Sequence, residues 1–167
     1  MWQYNYTPDY LCHWGVKGMK WGVRRYQNPD GSLTSLGKIR YSSNKGVQKN
    51  GSTYFIRDKN GSVISKGDLF EYDIPDFDWM LAANLDTSPS HRRKGYASRI
   101  VDEMYNDAIL KGKGVYLFVD TNNKNAISLY EKHDFSTIKT YKLNGKMYYI
   151  MAKGKADINQ LKNMNFG

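Results

Sequence analysis

The chain has 167 residues with a formal net charge of +9, and 25% of them are charged, 40% hydrophobic and 14% aromatic. This length suits one globular domain with a short appendage, and the composition excludes a wholly disordered chain. No apolar run approaches the roughly 20 residues that cross a bilayer, and Cys12 is the only cysteine, which excludes an intramolecular disulfide framework and a multi-cysteine zinc site. With only three scattered histidines as well, we expect no metal site, no membrane contact and no secretory signal.

The excess positive charge lies in the first fifty residues. Residues 1–50 hold eight lysines and arginines against two acidic residues, residues 51–153 hold fifteen against thirteen, and residues 154–167 hold two against one. A basic segment joined to a nearly neutral body indicates an arm for an anionic partner, such as nucleic acid or an acidic protein surface. A solvated extension explains the charge equally well. These segments are our expected N-terminal module, main domain and C-terminal tail.

Within the module, residues 13–41 have neither helical nor strand periodicity, and their glycines are dense. Trp14 and Trp21 flank lysines and could form cation–π contacts with a partner. The string around Gly18-Met19-Lys20-Trp21-Gly22 resembles a short module at the ends of tailed-bacteriophage head and portal-associated proteins. The resemblance implies a phage or prophage origin and contact with a phage head, a portal or nucleic acid through residues 13–41. A linker without a partner is the alternative.

From about residue 50 the sequence predicts short strands and helices. A hairpin is predicted over residues 53–58 and 62–65, because Asn60-Gly61 favours a tight turn, and a third strand follows over residues 79–86. Apolar positions at helical spacing predict a helix over residues 95–110. The remaining predicted elements are a strand over 115–119, a helix capped by Asn123 that ends at Tyr130 or Lys132, a hairpin over 136–142 and 147–152 around Asn144-Gly145, and a short helix over 158–164. This order predicts an α/β fold with a mixed sheet.

The junction between the third strand and the first helix carries candidate chemistry. Arg92, Arg93 and Lys94 precede Gly95 there. A phosphate at this position would meet unpaired N–H groups and the positive end of the helix dipole, and Gly95 and Ala97 are small enough to allow close approach. A solvated basic loop is the alternative, and local physics leaves both open.

A second segment strengthens the phosphate interpretation. Arg92-x-x-Gly95-x-Ala97 and Asn123-x-x-Ala126-x-x-x-Tyr130, in this order, resemble the two motifs of the general N-acetyltransferase (GNAT) superfamily. The resemblance covers residues 53–152 and implies a GNAT-like mixed sheet with flanking helices and acetyl-CoA as cofactor. The two helices that normally precede the strands and cover the acceptor site would fall in the module, so we expect them to be truncated or atypical.

The resemblance also implies roles for individual residues. Backbone amides of residues 92–97 would bind the diphosphate, and residues 85–87 would pair with the pantetheine arm and polarise the thioester carbonyl. Tyr130 would protonate the departing thiolate, for which a tyrosine is an adequate donor; a core aromatic is the alternative. The predicted cofactor contacts are Leu85, Asp86, Thr87, Arg92, Arg93, Lys94, Gly95, Tyr96, Ala97 and Asn123.

The general base does not follow from the motifs. No glutamate lies in the middle of the third strand, where the family base often sits, because Ala82 and Ala83 are there. Asp86 is therefore the predicted base, with Asp78 and Glu71 as alternatives. The acidic stretch over residues 68–78 would attract a cationic amine if it bordered the thioester, and a solvated loop is the other interpretation.

Together these patterns predict an acetyl-CoA-dependent N-acetyltransferase of phage or prophage origin that transfers acetyl directly to an amine. A protein lysine or N-terminus is the favoured acceptor, and the expected location is the host bacterial cytoplasm or the virion. One alternative is a non-catalytic, virion-associated or host-protein-binding module on a GNAT fold. Another is an acetyltransferase acting on aminoacyl-tRNA or another nucleic-acid-bound amine, which the basic arm would suit.

Overall fold

A computed structural model describes residues 26–28, 32–34, 37 and 46–164 of the chain, and the statements below concern these residues. The chain separates into two compact units, residues 1–38 and 39–167. The second unit holds the elements β1 (Gln48–Asn50), β2 (Thr53–Arg57), β3 (Val63–Glu71), β4 (Trp79–Thr87), a 3-10 turn (Pro89–His91), α1 (Tyr96–Leu110), β5 (Gly114–Asp120), α2 (Lys124–Lys132), β6 (Ser136–Leu143), β7 (Lys146–Lys153) and α3 (Ile158–Asn163). No helix in the described part of the chain is both long and apolar enough to cross a membrane.

The strands form one seven-stranded mixed sheet in the order β1-β2-β3-β4-β5-β7-β6. All neighbours are antiparallel except β4 and β5, which are parallel. Helices α1 and α2 pack on one face, which we call the α1/α2 face, where Ile100 and Tyr130 join the larger core. Helix α3 packs on the opposite face, the α3 face, where Leu161 joins a smaller core. The predicted α/β class and mixed sheet are thereby confirmed.

Both predicted hairpins form where glycine follows asparagine. Gly61 and Gly145 have φ of 83° and 79°, values that glycine adopts without steric cost. The turn before Gly61 is fixed further by Asp58, whose carboxylate accepts the backbone N–H groups of Asn60 and Ser62, both at 2.9 Å. The long helix also forms as expected, ending at Leu110 before Gly112.

Strand β3 is longer than its sequence suggests. It was predicted to end at Ser65, yet it continues through Gly67 to Glu71. Glycine weakens most strands, but a Cβ atom at Gly67 would lie 3.0 Å from Leu85 Cδ1 and 3.2 Å from Ile100 Cγ2. The glycine therefore lets α1 pack closely against the sheet, and the first part of the acidic stretch lies in a strand rather than in a loop.

The predicted module and tail boundaries also need correction. Strand β1 pairs with β2, so the sheet begins before the expected boundary at residue 50. At the other end, Leu161 is 0% exposed, and Trp79 Nε1 donates a hydrogen bond to the Asp157 carbonyl at 3.0 Å. Residues 154–164 are therefore part of the folded domain rather than a separate tail.

Only Gly51 and Ser52 lie between β1 and β2. This connection has no room for a helix, and the two helices expected in the N-terminal module fall on residues that lie mostly outside the described part of the chain. No buried residue from β2 or β3 belongs to the core of the α3 face. Among the described elements, no helix covers these strands on that face.

We predict that Leu161→Ala lowers the free energy of unfolding by about 2–5 kcal/mol, because it leaves a cavity where a fully buried side chain was. Ile158→Ala on the same helix is the matched control. Ile158 is 37% exposed, so its truncation should cost less than about 1 kcal/mol. Urea denaturation of both variants measures the difference, and equal small losses would show that α3 contributes nothing to the core.

Candidate active site

The site is organised by the separation of β4 and β5. These parallel strands pair from Trp79 and Gly114 to Ala82 and Leu117, and there the pairing stops. Beyond this point β4 continues against β3 as far as Thr87, while β5 continues against β7 as far as Asp120. The edge of β4 over residues 83–87 that faces β5 has no strand partner among the described residues. The result is a wedge-shaped gap in the sheet, which we call the wedge.

A β-bulge coincides with the start of the wedge. The β3–β4 register shifts between Lys66 and Asp68, and opposite this shift Asn84 has φ of 53°. Asparagine visits this left-handed region more readily than most residues. A bulge adds a residue to one strand and bends it, so the extra residue in β4 accounts for its departure from β5.

The mouth of the wedge is the loop that leads into α1. Arg93 and Gly95 have φ of 61° and 80°, which are left-handed backbone conformations. Gly95 is the N-cap and provides no side-chain hydrogen bond to the first turn of α1. A Cβ at Gly95 would meet nothing within 4 Å. The loop therefore presents unsatisfied donors and open space together.

The basic side chains of this loop differ in what they do. Arg92 Nε donates to the Thr87 carbonyl at 3.0 Å, so Arg92 braces the loop against the end of β4. Arg93 and Lys94 are exposed, and neither forms an ion pair with a described acidic residue. Their charge adds to the positive end of the α1 dipole and favours an anion at this position.

Asn123 lies across the wedge, at the start of α2. Its Oδ1 accepts the Ala126 backbone N–H at 3.1 Å, which is the usual way in which asparagine caps a helix. The predicted capping is confirmed. The predicted contact between Asn123 and a cofactor stays a prediction, and the cap leaves the side-chain amide N–H groups as the donors for it.

Tyr130 is at the apex of the wedge. It lines a small cavity of about 10 Å³ together with Ala82 and Leu117, the last residues that pair β4 with β5. Its ring packs on Phe135 with a centroid distance of 5.8 Å. Desolvation by burial raises the pKa of Tyr130 to about 12, so the hydroxyl stays protonated throughout the physiological range. Both interpretations of Tyr130 are compatible with this position, since it is a core aromatic at the edge of the gap.

The candidate bases lie at different ends of β4. Asp86 is exposed on β4 beyond the bulge, opposite Lys66 of β3. Asp78 precedes β4 and accepts a hydrogen bond from Gln160 Nε2 at 3.3 Å. Glu71 forms ion pairs with Lys111 and Lys113, and hydrogen bonds from these lysines lower its pKa. Asp78 and Glu71 are thus at the end of β4 away from the wedge, which argues against both as the base.

The same topology corrects the interpretation of the acidic stretch. Residues 72–78 connect the end of β3 to the start of β4, whereas the wedge opens toward the end of β4. This loop does not border the site. Asp68, the first residue of the acidic stretch, is the exception, because the longer β3 places it opposite Ala83 at the wedge. Period-2 alternation could have located it if β3 had been extended through Gly67.

The arrangement can now be compared with known proteins. Residues 80–143 match the family model described as FR47-like protein, and residues 5–28 match a family of unknown function. No curated protein matches the chain.

Solved structures with this fold include Ard1 from Thermoplasma volcanium, at 22% identity and a TM-score of 0.54, with 61% of this chain and 69% of that chain covered. A protein from Bordetella pertussis assigned to the GnaT acetyltransferase family has 16% identity and a TM-score of 0.52, with 61% and 64% covered. The NatC complex bound to Gag peptide and CoA has 20% identity and a TM-score of 0.55, with 60% and 69% covered.

The fold is the GNAT fold. In this GNAT-fold domain the matched residues 80–143 run from β4 to β6, and they include the wedge, the loop before α1 and Tyr130. The phage resemblance falls on residues 13–41, most of which lie outside the described residues, and it stays a prediction.

We predict that the burial of Tyr130 produces a measurable alkaline loss of stability. Its pKa is about 12 when folded and 10.0 in the reference state, so its contribution to stability is complete below pH 10. It is lost as pH rises to 12, on the order of 2–3 kcal/mol. Urea denaturation between pH 9 and 12 should show a shallower loss for Tyr130→Phe than for the wild type.

Tyr72→Phe is the control for this experiment, because Tyr72 is 42% exposed. It should follow the wild-type pH dependence. Burial also raises the pKa of Tyr116 to about 12, which supplies a background loss in all three proteins. Identical slopes for the wild type and Tyr130→Phe would contradict the inferred desolvation of Tyr130.

Proposed function

We propose that the protein is an acetyl-CoA-dependent N-acetyltransferase that transfers an acetyl group directly to an amine. The observation that carries this proposal is the wedge itself, with an uncapped, basic helix N-terminus at its mouth and a buried, protonated tyrosine at its apex. The GNAT fold and the FR47-like match over residues 80–143 support it. No single one of these features would suffice, since basic loops and buried tyrosines are common in other proteins.

The residues at the mouth fit a CoA diphosphate. The backbone N–H groups of residues 92–97 would donate hydrogen bonds to its oxygens, and the open space at Gly95 permits close approach. Arg93 and Lys94 would add charge, while Arg92 holds the loop in place. When bound, acetyl-CoA would supply an acyl group activated as a thioester.

The unpaired edge of β4 fits the pantetheine arm. An exposed strand edge offers alternating N–H and C=O groups, and the pantetheine arm is a chain that carries amide groups. Residues 85–87, including Leu85 and Thr87, would pair with it as a strand pairs with its neighbour. This pairing would direct the thioester toward Ala82 and Tyr130 at the apex.

Tyr130 would act as the acid. A simple thiol has a pKa of about 8.5, so a departing thiolate needs only a hydrogen-bond donor close to it. With its pKa raised to about 12, Tyr130 is a donor at every physiological pH. The hydroxyl would give its proton to the sulfur and recover one from solvent.

The acceptor stays a prediction, with a protein lysine or N-terminus favoured. Among the described elements no helix covers β2 and β3, and the alternative of a binding module without turnover stays open. The two candidates differ at Tyr130, because a binding module needs no acid there. Phage origin, docking through residues 13–41 and a nucleic-acid-bound acceptor rest on the sequence patterns alone.

We predict that the wild type binds acetyl-CoA in calorimetric titration and that Gly95→Glu abolishes the binding, because the carboxylate would occupy the diphosphate position. Gly112→Glu is the matched control. Gly112 has φ of 78° and nothing within 4 Å of an added Cβ, so this substitution adds the same charge and backbone strain after the C-terminus of α1. Equal binding by all three proteins would refute the assignment of the diphosphate site.

Turnover distinguishes the enzyme from a binding module. We predict that Tyr130→Phe lowers kcat on the order of 100-fold and leaves acetyl-CoA affinity nearly unchanged, since the hydroxyl acts on the departing thiolate. Release of the CoA thiol, followed with a thiol reagent, measures the rate. An unchanged kcat would make Tyr130 an ordinary core residue.

A further inference from the structure

We propose that Asp68, rather than Asp86, binds the ammonium group of the acceptor and takes its proton. The acceptor class that follows is a primary amine on an alkyl chain, such as a lysine side chain. This inference rests on the proposed function, which it deepens by assigning the acceptor subsite.

The register of the sheet places Asp68 beside the apex of the wedge. It is the direct partner of Ala83, and Ala83 is the first residue of β4 beyond the last pair with β5. Opposed residues of antiparallel strands project from the same face with Cβ atoms about 5 Å apart. The Asp68 carboxylate therefore replaces, from the neighbouring strand, the acidic side chain that β4 itself lacks at Ala83.

Asp68 and Tyr130 lie on opposite faces of the sheet at this point. Ala82 shares the α1/α2 face with Tyr130, since both line the same cavity. Successive residues of a strand alternate between faces, so Ala83 and its partner Asp68 lie on the α3 face. An acid on one side of the gap and a carboxylate on the other is the arrangement that direct transfer needs, because the amine enters as the thiolate leaves.

The Asp68 carboxylate is held in a fixed orientation. Thr53 Oγ1 donates to its Oδ1 at 2.6 Å, and Asn84 Nδ2 donates to its Oδ2 at 2.7 Å. The left-handed backbone of Asn84 at the bulge positions that amide. Two carboxylate oxygens offer about four acceptor sites, so each oxygen retains capacity for an ammonium group.

The charge of Asp68 is not compensated by an ion pair within the described part of the chain. No described lysine or arginine pairs with it, whereas Asp107 pairs with Lys49 and Glu71 with two lysines. Asp68 is also half-buried, so a cation that binds it is screened less than at an exposed carboxylate. Asp86 is exposed and lies opposite Lys66, which makes it the weaker cation site.

The surroundings of Asp68 suit an alkyl chain. Phe70 lies two residues further along β3 and is the partner of Leu81, and both side chains are half-buried on the α3 face. They offer apolar contact to a methylene chain whose ammonium group reaches Asp68. Only Gly51 and Ser52 connect β1 to β2 nearby.

The proposed acetyl transfer conserves atoms and charge. The ammonium group gives one proton to Asp68, and the neutral nitrogen attacks the carbonyl carbon of the thioester. The C–N bond forms, the C–S bond breaks, and Tyr130 protonates the sulfur. The second nitrogen proton and the proton on Asp68 go to solvent, from which Tyr130 recovers one, so each turnover releases one proton.

The test compares Asp68→Asn with Asp73→Asn in the full chain, because Asp73 is an exposed carboxylate on the loop that does not border the wedge. The probe is Nα-acetyl-lysine methylamide, and its uncharged counterpart Nα-acetyl-norleucine methylamide is the control ligand. We expect both variants to bind acetyl-CoA like the wild type in calorimetry. Asp68→Asn should lower kcat/KM for the lysine probe at least about 100-fold, while Asp73→Asn should change it less than threefold.

Backbone NMR provides a readout that does not require turnover. With CoA present, the lysine probe should shift the amide signals of Ala83 and Asn84 in the wild type, the norleucine probe should not, and Asp68→Asn should abolish the effect. If the wild type fails to bind acetyl-CoA, the proposed function fails. In that case the amide shifts caused by the lysine probe still show whether Asp68 binds an amine.

Several results would overturn the assignment of Asp68. They are a wild-type kcat/KM in Asp68→Asn, an equal loss in Asp73→Asn, or equal shifts by the charged and uncharged probes. Should thermal melting show that Asp68→Asn does not fold, Thr53→Val removes one of the two orienting hydrogen bonds and keeps the charge. It should raise KM for the lysine probe at least threefold without changing acetyl-CoA affinity, and an unchanged KM would refute the proposal.

Discussion

The separation of β4 from β5 after Ala82 is the constraint on which the site depends. A continuous sheet would keep its two faces apart and would satisfy every backbone group of β4. The bulge at Asn84 turns β4 away from β5. One edge of β4 is therefore left unpaired and available for a ligand, and the gap beside it lies between the two faces of the sheet. The same bulge carries the side chain that orients Asp68, so a single extra residue opens the sheet and positions a carboxylate beside the opening.

Charge is distributed along the domain in a way that matches this opening. Near the start of β4, opposite charges are paired, as in Glu71 with Lys111 and Lys113. Near its end, Arg93 and Lys94 have no ion-pair partner among the described residues, and the α1 dipole adds to their field. Paired charges hold elements together, whereas unpaired charges on a helix N-terminus attract ligands. The unpaired positive charge therefore lies at one end of the strand.

Short sequence patterns were sufficient to predict the elements whose structure depends on interactions between neighbouring residues. Asn60-Gly61 and Asn144-Gly145 specify turns without help from the rest of the chain, and α1 has an unbroken apolar period. The predictions failed where packing between distant residues determines the structure. Strand β3 continues through Gly67 because α1 packs closely against this position, and the short polar helix α3 belongs to the folded domain because Leu161 is buried in the core. Asp68 was assigned to a loop rather than to a strand for the first of these reasons. The two GNAT-like motifs predicted Arg92, Gly95, Asn123 and Tyr130 as site residues, whereas neither motif includes a carboxylate on the neighbouring strand.

The turn at Gly51 and Ser52 is a position at which this domain can accept an insertion. Lengthening a surface connection costs little free energy, about 0.6 kcal/mol for each doubling of its length. An insertion at this turn would emerge beside Thr53, next to Asp68, and far along the chain from the residues of the loop before α1. The surroundings of Asp68 and the loop before α1 are thus separable in the architecture of the chain: the former can diversify by insertion at a single permissive point while the latter stays unaltered.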